Sequence, residues 1–107
     1  MPREKFKTLT EQMFYVLLCL REECCGMDIL DRVPSMTEGR VRVGSGTLYN
    51  LLEQFLQAGM IRETHVEGRR RSYLLTGRGR EVLLQEYRRI CAQAEDYRRF
   101  FGEEEGK

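Results

Sequence analysis

With 107 residues the chain is long enough for one domain with a modest core, and its 41% apolar and 33% charged residues describe a folded, helix-rich protein, not a disordered one. No apolar run approaches the roughly 18 residues of a membrane-spanning helix, and Met1–Lys5 leads into no apolar signal core, so a cytoplasmic protein without a membrane partner is expected. The net charge of +1 hides an asymmetry: residues 40–80 hold eight arginines against three glutamates, or +5, while residues 1–39 and 81–107 each carry five basic and seven acidic side chains, or −2. Basic charge gathered in the middle of a chain is what a phosphate-binding surface requires.

Thr8–Glu11 has the form of a capping box, a hydroxyl followed three residues later by a carboxylate, and predicts a helix starting behind Thr8. Met13, Phe14, Val16, Leu17, Leu18 and Leu20 cover more than one face of that helix, which predicts packing on two sides. Gly26 marks a break. Met27–Val33 supplies about two helical turns before Pro34, and Ser35–Gly39 reads as a turn, because proline has no N–H to donate and restricts the residue before it. Arg40–Val43 alternates charged and apolar residues, as a very short strand or an extended lead-in does.

Gly44–Met60 is the stretch around which the rest is organised. Leu48, Leu51, Leu52, Phe55 and Leu56 recur at helical spacing and require one buried face. Asn50, Glu53 and Gln57 lie opposite, with Thr47 and Tyr49 at the borders. Ser45 is placed to cap the helix, Gly44 and Gly46 precede its first turn, and Gly59 marks its end. Ile61–Val66 and Arg71–Leu75 then read as the strands of a hairpin around Glu67-Gly68, with Arg69, Arg70 and Arg71 at its tip and return. Arginine suits a grip on phosphate, since its planar fork bonds two oxygens at once.

Thr76 is expected to cap the last helix, over a loose basic first turn, Gly77–Arg80. Beyond it Leu83, Tyr87, Ile90, Ala94, Tyr97 and Phe101 follow at steps of four and three, close to the 3.5-residue period of a coiled-coil seam. A helix of roughly 25 residues with so narrow a stripe predicts packing against a second subunit. Glu103–Lys107 reads as a frayed tail.

Helix, short helix, extended lead-in, amphipathic helix and arginine-tipped hairpin is the order of a winged helix-turn-helix, in which the second helix of the turn enters the DNA major groove and the hairpin holds the flanking phosphates. The fold expected is therefore mainly α with a small β-hairpin wing, divided into a winged helix-turn-helix at 1–76 and a dimerisation helix with an acidic tail at 77–107. An enzyme lacks its parts here: one histidine, His65, on a hairpin strand, no glycine-rich phosphate loop and no converging carboxylates. No cofactor is implied. A winged-helix protein-interaction module is the competing class, because overall charge is nearly neutral. Cys19, Cys24, Cys25 and Cys91 are expected to be reduced thiols. They form no CxxC pair, so a closed zinc site has little support, while adjacent Cys24 and Cys25 leave open a thiol- or metal-responsive regulator.

Gly46-Thr-Leu-Tyr49, Leu52, Gly59-Met-Ile61, Gly68-Arg-Arg-Arg-Ser-Tyr73 and Leu75-Thr-Gly-Arg-Gly-Arg-Glu-Val-Leu83 together resemble the PadR family of transcriptional regulators, over nearly the whole chain from about Leu9. The resemblance implies a homodimeric repressor of the short form, with a single C-terminal dimerisation helix. It also implies a palindromic operator in double-stranded DNA and release by a small hydrophobic or aromatic effector. Carried over by position, Thr47 and Tyr49 match motif positions that approach the DNA backbone and Arg69, Arg70 and Arg71 match the basic wing; Ser45, at the start of the same helix, is a further candidate DNA contact. The family commonly has proline after the tyrosine, where this chain has Asn50, whose amide is able to pair with an adenine edge. Without an added domain, an effector has to lie between the first and last helices or between subunits, with Met13, Phe14, Tyr87, Cys91 and Tyr97 as candidate lining.

Overall fold

The expected helices and hairpin are present, and a two-residue strand that the pattern did not predict completes a three-stranded sheet. In this computed structural model, which describes residues 8–105, the order is α1 (Glu11–Cys19), β1 (Cys24–Cys25), α2 (Gly26–Met36), α3 (Ser45–Gln57), β2 (Ile61–Glu67), β3 (Arg70–Leu75) and α4 (Gly77–Glu105). Met1–Lys5, Gly106 and Lys107 lie outside the described residues. The sheet is antiparallel in the order β1-β3-β2, so the fold is mainly helical with a β wing, as the pattern of residues requires. Val16 and Leu17 from α1, Leu20 at its C-cap, Ile29 and Val33 from α2, and Leu48, Leu52 and Phe55 from α3 are all but inaccessible and form one core. That core holds the three helices in the relation that a helix-turn-helix needs.

Several local details differ from the sequence reading. The cap of α1 is Thr10, not Thr8: its hydroxyl accepts the Met13 N–H at 3.1 Å. Leu9, 7% exposed, takes the place before the cap and turns into the core, which leaves the second threonine at the helix entrance. Pro34 does not end α2, which continues to Met36. In the last turn a proline removes one bond, the one to Leu30, and the freed end is closed by other means. The Gly39 N–H donates to the Pro34 carbonyl at 2.7 Å and the Glu38 N–H to Ser35 at 3.4 Å, a Schellman arrangement with Glu38 at φ 55, where glycine is the usual residue. Thr37, 3% exposed, locks this turn: its hydroxyl donates to the Val33 carbonyl at 2.8 Å and accepts the Val41 N–H at 3.0 Å. Arg40–Val43 is the extended lead-in and not a strand, with Val41 and Val43 turned inward.

Ser45 is the first residue of α3 and not its cap; Gly44 holds that place, without a side-chain hydrogen bond. The end of α3 is as expected. Gly59 has φ 75, its N–H donates to Leu56 and the Met60 N–H donates to Phe55, a second Schellman closure. The wing strands each reach one residue closer to the tip than expected, leaving Gly68-Arg69 as a two-residue turn with Gly68 at φ 63. Thr76 does cap α4, accepting the Gly79 N–H at 3.1 Å, and donates its own hydroxyl to the Gly59 carbonyl at 2.6 Å. Glu103–Glu105 continue α4 and are not a frayed tail.

Glu86 ties α4 to the entrance of α1. It is 4% exposed, receives two hydrogen bonds from the Arg89 guanidinium, and has the backbone N–H of Leu9 near enough to favour its charged form. Those donors, Arg89 foremost, hold its carboxyl below the ordinary glutamate range against the opposing effect of burial. A carboxyl whose pKa is lowered by folding stabilises above its unfolded value and loses that contribution as pH falls through its folded one. Glu86→Gln is therefore expected to lower stability at pH 7 by about 1–3 kcal/mol. The gap to wild type should narrow below pH 4, as compared by urea titration at pH 7 and pH 3.5; a gap independent of pH would remove this role.

Candidate nucleic-acid interface

The first two turns of α3 are built to present side chains. Leu48, Leu51, Leu52 and Phe55 pin the helix from beneath, which leaves Ser45, Thr47, Tyr49 and Asn50 on the outside. Glycine stands at 44 and 46, yet neither has a positive φ, and an added Cβ at either would meet nothing within 4 Å. A helical glycine costs on the order of 1 kcal/mol relative to alanine. That cost falls on Gly46 in the first turn, whereas Gly44 is the N-cap, where glycine is well tolerated, so the bare backbone of Gly46 is what stands open at the start of the helix.

Tyr49 is not simply a solvated border residue. It is 49% exposed, because its ring lies on Gly26, the first residue of α2, which is itself buried. Its phenol also lies close enough to contribute to the raised pKa of Tyr73 on β3, a shift caused first by burial and then by the Glu63 carboxylate. Tyr49 thus sits where α2, α3 and the wing meet. Asn50, beside it, is exposed.

The three wing arginines are not equivalent. Arg71 bonds Glu63 across the hairpin at 2.7 Å, and the guanidinium is committed there. Arg69 occupies the turn and Arg70 the first position of β3, paired with Glu67 in the backbone ladder; both side chains are exposed and make no ion pair among the described residues. Arg70 lies near enough to Asp28 on α2 to help keep that carboxyl low, after the stronger effect of the Cys25 thiol and N–H at 3.4 and 3.3 Å. The sheet is pinned to the helices by Cys24 and Cys25, which pair with Tyr73 and Ser72. Both cysteines are buried, and burial pushes the Cys24 thiol up to about 11. A thiol in that state is protonated and unreactive at neutral pH. Among the described residues no group of three or more His, Cys, Asp or Glu is placed to hold a metal ion.

The apolar stripe of α4 divides in two. Leu83 packs with Val82 against the core, whereas every residue from Tyr87 to Phe101 is exposed, including Ile90, Ala94 and Tyr97. Phe14, Tyr87 and Cys91 do come together, lining a groove of about 480 Å³ between α1 and α4 with Tyr15 and Ile90. Met13 packs on the core instead, and Tyr97 lies farther along α4 against Phe101, with ring centroids 5.7 Å apart. Gly26, Glu63, Thr37 and Glu86 carry no sequence signal that separates them from ordinary helix-start, strand or surface residues.

The profile of the transcriptional regulator PadR-like family matches residues 16–85, which takes in α2, α3 and the wing in full. The chain belongs to that family. This PadR-like chain also shares its fold with solved regulators. A transcriptional regulator from Clostridium thermocellum, 18% identical, superposes with a TM-score of 0.74 over 87% of this chain and 98% of that one. A PadR family transcription regulator from Clostridium difficile R20291, 19% identical, gives 0.67 over 83% and 97%. PadR of Bacillus subtilis, solved in complex with operator DNA, is 22% identical and gives 0.61 over 68% of this chain and 45% of its own. No curated protein sequence matches the chain. The family is one of transcriptional regulators, not of enzymes. Among the described residues no helix is long and apolar enough to cross a membrane.

Proposed function

We propose that the chain is a homodimeric, sequence-specific DNA-binding repressor that acts in the cytoplasm on a palindromic operator. The observation that carries the reading is the exposed start of α3, Ser45–Asn50, with Gly46 bare in its first turn, next to a wing whose Arg69 and Arg70 make no ion pair among the described residues. Bare glycine backbone lets a phosphate come close, Thr47 and Tyr49 set the register of the helix, and Asn50 reads a base edge in the major groove. Arg69 and Arg70 neutralise the flanking phosphates. The operator complex of the Bacillus subtilis relative supports the same use of this fold.

On this reading residues 1–76 form the DNA-binding unit and 77–107 the dimerisation helix, whose stripe from Leu83 to Phe101 joins two copies. A small hydrophobic or aromatic effector enters the groove between α1 and α4 at Phe14, Tyr87 and Cys91 and releases the operator. Cys24 and Cys25 hold β1 to the wing, which favours this reading over a thiol-responsive one.

The test is fluorescence anisotropy on a duplex carrying the promoter of the chain's own gene. Affinity is expected to fall steeply with salt. Arg70→Ala should weaken binding to all duplexes alike, and by more than Arg71→Ala, because Arg71 is already held by Glu63. Asn50→Ala should cost about 1–3 kcal/mol and relax preference at one base pair. Equal losses on every duplex variant would remove Asn50 as a reader, and salt-independent binding would remove the phosphate contacts.

A further inference from the structure

Glycine at position 26 has no backbone reason to be there. It occupies the first position of α2 with ordinary helical geometry, outside the left-handed region in which Gly39, Gly59 and Gly68 lie. Alanine would serve a helix better. What an alanine would meet is a side chain from another element: a Cβ on Gly26 would stand 2.6 Å from the Tyr49 hydroxyl and 2.9 Å from Cε1 and Cζ of its ring, so the ring would have to move. The ring is thus seated on the bare backbone of α2 along its polar edge, the end that carries the hydroxyl.

That seat is itself anchored. Gly26 directly follows Cys24 and Cys25, whose backbones pair with Tyr73 and Ser72 in the strand that begins with Arg70. The Cys25 N–H is fixed to Asp28 at 3.3 Å. A displacement of the wing strand is therefore transmitted through two bonded residues to the surface that carries the Tyr49 phenol.

We infer that Gly26 is a positioning residue for operator binding: the absence of its side chain sets where the Tyr49 hydroxyl stands, and so sets the recognition helix and the wing in one fixed relation. This rests on the reading that Tyr49 faces DNA. A Cβ at 26 pushes the phenol outward, off its seat and into the path of the duplex, and the contact it makes in the native position is lost.

Three variants of the full chain test it, Gly26→Ala, Tyr49→Ala and the double variant, each measured for affinity to the promoter duplex and for thermal midpoint. Gly26→Ala and Tyr49→Ala are each expected to weaken binding about tenfold. The double variant should bind no worse than Tyr49→Ala, and it should recover the thermal midpoint lost by Gly26→Ala, since no ring remains to displace. Where Gly26→Ala alone does not fold, a folded double variant with the affinity of Tyr49→Ala supports the proposal. Wild-type affinity in Gly26→Ala, or losses that multiply in the double variant, overturns it while leaving DNA binding intact. A wild-type chain that shows no salt-dependent affinity for the duplex takes down the functional reading and the proposal together.

Discussion

Replacing Ile90 by glutamate is expected to convert a dimer into monomers. Ile90 lies on the apolar stripe of α4 beside the groove to α1, and every residue from Tyr87 to Phe101 is exposed among the described residues. Tyr87, Ile90, Tyr97 and Phe101 are 56%, 40%, 52% and 53% exposed, on one stripe of a helix that projects beyond its own core. The second copy proposed above would cover this stripe, which the described core leaves open. Burying the exposed half of each of those side chains would contribute about 0.7–1.5 kcal/mol, counted twice in a twofold dimer. A glutamate in the seam removes one of these contributions from each copy and brings two carboxylates into a place without water or partners. Sedimentation of Ile90→Glu should show the mass of a single chain, 12.7 kDa. Operator affinity should fall by orders of magnitude, because a monomer holds one half-site and loses the linkage between two. An unchanged sedimentation coefficient would end the dimer assignment on this face.

Gly79→Ala is the second large effect, this time on stability. A Cβ there would stand 2.0 Å from the Met60 carbonyl oxygen and 2.8 Å from Cδ2 of Leu75. The carbonyl has no room to retreat, since it accepts the Thr76 N–H at 3.0 Å and belongs to the residue that closes the Schellman turn of α3. The start of α4 must tilt instead, which strains the Thr76 cap and its bond to Gly59. Overpacking of this kind costs about 1–3 kcal/mol. The loss should be read as a lower urea midpoint, and a shift below about 0.5 kcal/mol would mean that the approach is not close in solution. Because this junction joins α3 to the helix proposed for dimerisation, a tilt would also change the spacing between the two copies of α3 in the proposed dimer.

Most of the presenting surface was legible in the chain. The spacing of Leu48, Leu51, Leu52 and Phe55 is enough to turn Asn50 outward and to place Thr47 at the edge, since a helix with four buried positions has only one orientation left. The wing was equally plain, with β-prone residues on both sides of a glycine turn. The arginines were legible as a cluster but not as individuals. Which of them is spent depends on Glu63, eight positions away, which stands opposite Tyr73 and is reached diagonally across the hairpin by Arg71. Strand β1 escaped for a similar reason: two residues have no periodicity, and Cys24 and Cys25 become a strand only because β3 arrives beside them.

The amino-acid sequence by itself determined the four helices, the wing, the polar start of α3 and the apolar stripe of α4. Each of these follows from interactions within a few residues or from a repeat along one element. The tertiary structure alone decided which threonine caps α1, why Glu86 is buried, which arginine is paired, and why glycine stands at 26 and 79. Those answers depend on atoms that come within about 3 Å of one another from distant parts of the chain. A glycine is silent in sequence about whether it serves a turn, a neighbour's ring or a neighbour's carbonyl, and close packing is what gives each of them its reason.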